Sequence, residues 1–171
     1  MNNRVNSFFL YAVLSLLFFG IFILSRIKGF SLGIGFAVPI ILVPAVVGVA
    51  MFFGEWFGFI FGLACGMALD SVTLYSNSLN TFLLMTVGVL VGIITSNYLN
   101  VNIFSALVVS FVSSLIYFLV KWFFLQYLLN KSVLYLWMVS LPSFLYTAVF
   151  IVPLFYVFKF IHDRPFAKKI R

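Results

Sequence analysis

The sequence predicts an all-α protein, a polytopic membrane helix bundle of about six transmembrane helices forming one integral membrane domain over residues 1–171. Composition is the first reason: 65% of the residues are hydrophobic and 8% charged, with 24 phenylalanines, more apolar surface than a soluble fold of this length can cover. The second is that the chain divides into apolar runs of about 20 residues joined by short polar or basic turns, which leaves no length for a soluble catalytic domain. The third is a glycine at every fourth position, Gly54, Gly58, Gly62 and Gly66, in a run that closes on Asp70. Four-residue spacing lines these glycines along one side of a helix. In water each would cost roughly 1 kcal/mol relative to alanine. In lipid the backbone must bond to itself and small-residue rows let helices approach closely, so the row reads as a packed membrane helix and not as a phosphate loop.

The first apolar run, Phe8 to Leu24, lacks a small-residue cleavage site before Arg26 and reads as a retained span over about 8–25. After the turn Arg26-Ile-Lys28-Gly29, the second span, 30–53, contains Pro39 and Pro44. Neighbouring helices can satisfy the carbonyls these prolines free, so a bend is expected rather than a break. The third span, 54–70, carries the glycine row over ~24 Å, a little short of the ~30 Å hydrocarbon core. Asp70 therefore falls near an interface and avoids most of the ~2.5 to 3.5 kcal/mol that a mid-membrane carboxylate costs. It is either a helix boundary or a functional group. Because residues four apart advance 400°, the row drifts by about 120° from Gly54 to Gly66; this predicts a partner helix crossing at an angle, closest at Gly58 and Gly62 and looser at Gly54.

Ser71 to Asn80 has the composition of an exposed loop. The fourth span, 81–98, carries Gly88-x-x-x-Gly92, a second small face expected to meet the first. Asn97 to Asn102 turns the chain. The apolar stretch from Ile103 to Leu129 is too long for one upright span, and Lys121-Trp122 supplies a boundary, since tryptophan favours the interface and lysine snorkels toward water. The fifth span is therefore 103–121, followed by an interfacial hairpin from Phe123 to Leu136. The sixth, 137–158, contains Pro142 and Pro153 and leads into a basic tail, 159–171.

That tail holds Lys159, Arg164, Lys168, Lys169 and Arg171. With six spans both termini share a side, where these residues and Arg4 outweigh Arg26, Lys28 and Lys131 opposite. The positive-inside rule then places both termini in the cytoplasm and Asp70 at the outer face. The net charge of +7 accordingly addresses the acidic membrane surface rather than nucleic acid. Glu55 and Asp163 fall on the inner face, away from Asp70, and no nucleophile stands beside a base. With no metal-ligand cluster and no cofactor motif, an enzyme is not expected. His162, next to Asp163, reads as a solvated tail residue. Cys65 reads as an apolar thiol without an intrachain disulfide partner.

Pro39 in the second span, Gly58, Gly62, Gly66 and Asp70 in the third, a polar turn and a glycine-bearing fourth span together resemble the rod shape-determining protein MreD family. The small size and the prolines of the last span, Pro142 and Pro153, are similar as well. One departure is that the family usually has a glycine in the turn after the aspartate, whereas this chain has none between Gly66 and Gly88. The resemblance implies a non-enzymatic component of the bacterial inner membrane, part of the elongasome or rod complex. Such a protein binds the bitopic protein MreC and, with MreB filaments, RodA and a penicillin-binding synthase, confines peptidoglycan synthesis to the cylinder and so sets cell shape. It also implies a fold resembling the substrate-binding subunits of energy-coupling-factor transporters. A vitamin-binding subunit of that kind is the alternative function, although such subunits often present an Ala-x-x-x-Ala face in the first span, where this chain has Ala12 alone. Pro39, Gly54, Gly58, Gly62, Gly66, Asp70, Gly88 and Gly92 are the candidate helix-packing or partner-binding residues.

Overall fold

In the computed structural model, residues 15–21, 23, 41–71, 78–99, 101–129, 147 and 150–163 are described, and the elements among them are helices: α1 (Leu42–Phe53), α2 (Glu55–Asp70), α3 (Leu79–Tyr98), α4 (Ile103–Leu129) and α5 (Ile151–His162). Pro39, Pro142, the turn at 26–29, the stretch 130–136 and the tail beyond Asp163 lie outside the described residues.

The segment Leu42–Phe53 has no polar side chain, and a helix apolar all round belongs inside. Every residue of α1 except Phe53 is buried, and α2, α3, α4 and α5 all pack on it. Pro44 is the third residue of α1, in the first turn, where a missing N–H breaks no intrahelical bond. The bend expected at Pro44 is therefore replaced by a helix start. Pro153 takes the same position in α5. The two helices run side by side in the same direction: Gly48 leaves a hollow for the Phe158 ring, and Phe52 and Phe53 meet His162 at the far end. The last span's helix continues past Phe158 to His162, which is half-buried against those two rings rather than solvated.

Gly54 is the sole residue between α1 and α2. Its φ of 90° and ψ of −175° lie in a region open essentially to glycine. Its N–H donates to the Ala50 carbonyl at 3.0 Å, and its own carbonyl accepts from the Gly58 N–H at 3.0 Å, so it closes one helix and opens the next. The reversal is tight enough for Ala50 and Gly58 to touch. Gly54 is thus a corner and not a member of the packing row; a side chain there would point into open space.

The rest of the row meets α3. A Cβ at Gly62 would lie 2.5 Å from the Leu84 carbonyl oxygen, and one at Gly58 2.6 Å from that of Gly88; Gly66 backs onto Thr81, and Gly92 onto Glu55. The pairs are placed symmetrically about the turn between α2 and α3, as in an antiparallel hairpin. Contact is as close at Gly66 as at Gly58 and Gly62, so it is not confined to the middle of the row, whereas Gly54 is loose as expected. The pairing of the two small-residue faces is as the sequence indicates.

After α3 the chain passes through extended Leu99, and Asn102 and Ser105 bond reciprocally at the start of α4 (3.0 and 2.8 Å). The helix then runs unbroken through Lys121 to Leu129, so Lys121-Trp122 does not end it and the hairpin expected from Phe123 begins as helix. The inward face of α4 is small or polar, with Ala106, Ser110, Ser113, Ser114 and Tyr117 buried. Outward stand Phe104, Phe111, Ile116, Leu119 and Phe123. Among the described residues two stretches, Leu79–Tyr98 and Ile103–Phe124, are long and apolar enough to cross a membrane.

The helices alternate between two ends. One end gathers Gly54, Val101 and His162; the other gathers Asp70, Asn80 and Tyr117. Glu55 and Asp70, at opposite termini of α2, are separated by its whole length.

Candidate functional site

At the second end, α3 begins without a cap of its own. Ser78 precedes it with φ 63°, in the left-handed region, and its side chain makes no capping bond. The first N–H groups of a helix need acceptors. Asp70, the last residue of α2, supplies them. Its Oδ1 accepts from the Asn80 backbone N–H at 3.2 Å and from Asn80 Nδ2 at 2.9 Å; its Oδ2 accepts from the Thr81 backbone N–H at 2.8 Å and from the Thr81 hydroxyl. The carboxylate of one helix thus caps the next, and negative charge at a helix N-terminus is also favoured by the macrodipole.

The network continues inward. Asn80 and Tyr117 are both fully buried, and the Tyr117 hydroxyl donates to Asn80 Oδ1 at 2.6 Å. Lys121, one turn further along α4, points its ammonium at that hydroxyl (3.5 Å) and lies over the Tyr117 ring, 5.5 Å from its centroid. The donors all point one way, from Lys121 through Tyr117 and Asn80 to Asp70. This polarity fixes the orientation of the Asn80 amide, whose nitrogen must face Asp70 and whose oxygen must face Tyr117. Three helices, α2, α3 and α4, are tied together at one end by hydrogen bonds that the apolar interior strengthens.

The glycine row makes this arrangement possible. Gly66, one turn before Asp70, lets the start of α3 come against α2 at Thr81, which brings two backbone N–H groups within reach of a short aspartate side chain. Gly58, Gly62, Gly66, Asp70, Gly88 and Gly92 therefore converge on one unit, while Gly54 stands apart at the corner and Pro39 lies outside the described residues. Asn80, Thr81 and Tyr117 were not singled out by the sequence. Asn80 was assigned to an exposed loop, yet it is buried in the first turn of α3. A legible signal did exist: an asparagine followed by a threonine, just before an apolar run, is a helix-start composition.

Chemically, the site holds rather than reacts. A carboxylate has about four acceptor positions, and four donors already fill those of Asp70. Among the described residues there is no group of three or more His, Cys, Asp or Glu side chains able to hold a metal ion. In comparisons with known proteins, no family model, curated protein or solved structure matches this chain.

Proposed function

We propose that the chain is a non-enzymatic, six-span protein of a bacterial inner membrane that serves in the cell-elongation complex as MreD does, binding an MreC-like bitopic protein and helping to place peptidoglycan synthesis. The observation that carries the reading is the convergence of the glycines and the aspartate behind the resemblance, Gly58, Gly62, Gly66, Asp70, Gly88 and Gly92, on one packed unit. The glycines zip α2 to α3, and Asp70, through Asn80 and Tyr117, fastens the turn end of that pair to α4. Such a unit suits a scaffold that presents fixed surfaces to partners. The α2 furrow is filled by α3, so a partner's transmembrane helix must dock elsewhere, and the outward side of α4 offers the longest apolar surface. That side is more apolar than the interior it covers, which fits a lipid solvent and not water.

The alternative, the substrate-binding subunit of an energy-coupling-factor vitamin transporter, draws on a different observation. The hydroxyls of Ser110 and Ser114 are buried and have no hydrogen-bond partner among the described residues, and a small polar ligand inside the bundle would supply one. Purification of the tagged full-length chain in mild detergent, followed by identification of the proteins and small molecules that accompany it, separates the two. A bitopic wall-synthesis protein in stoichiometric amount supports the elongation reading; a stoichiometric vitamin, with no such protein, would replace it.

A further inference from the structure

At the end of the bundle where α1 and α5 finish side by side, Phe52, Val101, Lys159, His162 and Asp163 line a cleft of about 180 Å³. Its wall is apolar at Phe52 and Val101 and its rim is charged. Lys159 and His162 are three residues apart on α5 and so share a face. Asp163, exposed, stands 3.9 Å from the His162 imidazole. The exposed ammonium of Lys159 has no carboxylate partner among the described residues. On the same last turns of α5, Tyr156 and Phe160 are exposed at 59% and 62%, so the cleft opens beside surface suited to acyl chains. A lysine at the rim, an apolar wall and a neighbouring lipid-compatible surface are what a phospholipid can use, and basic residues between helices at the cytoplasmic side of membrane proteins bind acidic headgroups in this way. We propose that this cleft holds the phosphate of an anionic phospholipid headgroup against Lys159, with Phe52 and Val101 beneath its glycerol. The proposal rests on the membrane reading but is independent of the elongation partner.

The test uses the full-length chain in a neutral detergent and follows its thermal unfolding midpoint during titration with phosphatidylglycerol, phosphatidylcholine or inorganic phosphate. Phosphatidylglycerol should raise the midpoint saturably, and the other two should not. Lys159→Gln should weaken half-saturation roughly fivefold, the worth of one cation near an anionic headgroup, while Lys159→Arg restores it. Lys168→Gln removes the same charge from the basic tail and should change it less than twofold. Equal losses in the Lys159 and Lys168 variants would mean diffuse attraction without a site; a shift with inorganic phosphate alone would mean a free anion; an equal shift with phosphatidylcholine would mean that charge is not read. Each of these overturns the proposal. Because Lys159 is exposed, its replacement leaves the fold intact. Release of the chain from membranes by alkaline carbonate would instead count against the membrane reading itself.

Discussion

At the scale of single residues, Asp70 is explained by what it accepts. Asp70→Asn keeps the size but turns an NH₂ group toward donors that previously met an oxygen, so two hydrogen bonds to a charged acceptor are lost together. The expected loss is about 3 kcal/mol, read as a fall in the unfolding midpoint of the purified chain in detergent. Wild-type stability of the Asn variant would return Asp70 to the role of a simple boundary. Tyr117→Phe leaves the buried Asn80 Oδ1 without its donor and should cost roughly 1–3 kcal/mol in the same assay. Ser78 bears on the turn's missing glycine. The left-handed residue ahead of α3 is this serine, and a side chain in that conformation costs roughly 1–2 kcal/mol. Ser78→Gly should therefore hold or raise the midpoint, and Ser78→Val should lower it. The reverse order would mean that the turn adapts.

At the scale of elements, much of α2 and α3 was legible because four-residue glycine spacing has one geometric consequence. Closest contact at Gly58 and Gly62 alone follows only if the drift of one furrow is considered by itself. Thr81, Gly88 and Gly92 drift on α3 as the row drifts on α2, so the two helices keep pace and stay close throughout. Spacing also could not distinguish Gly54, which is at the right interval but serves the backbone. The same limit applies to Lys121: read as a lysine snorkelling to water beside an interfacial tryptophan it ends a span, whereas Tyr117, one turn earlier on the buried face, receives it. Three substitutions separate these roles. Gly62→Leu drives a side chain into the Leu84 backbone and should cost at least the ~1–3 kcal/mol of an overpacked contact, visible as lost monodisperse yield on size exclusion. Gly54→Ala meets open space yet should still lower stability, through its positive φ alone. Gly20→Leu, exposed and without neighbours within 4 Å, should be tolerated. Equal tolerance at positions 20 and 62 would mean that the row does not face α3.

At the scale of the whole molecule, an all-helical chain with apolar helices long enough to span a membrane was legible in the apolar runs, but the site was not, because Asn80 and Tyr117 are distant in sequence and only the approach of three helices brings them together. The alternation of ends carries the largest remaining consequence. α1 and α5 point the same way, as the second and sixth of six spans must, and the turn through Val101 lies with His162 while Asp70 lies with Tyr117. If the proposed six-span reading holds, charge chooses the side: Lys159, Arg164, Lys168, Lys169 and Arg171 follow or close the end that holds His162, which the positive-inside rule would assign to the cytoplasm. In a Cys65→Ala background, single cysteines at Ser76, between α2 and α3, and at Lys131, after α4, should therefore react with an impermeant maleimide on intact cells. A cysteine at exposed Asn102, at the opposite end, should react only after lysis. Labelling of all three on intact cells would break the alternation, and labelling of Asn102 alone would invert the molecule, placing the Asp70 cap in the cytoplasm and the lysine-lined cleft outside.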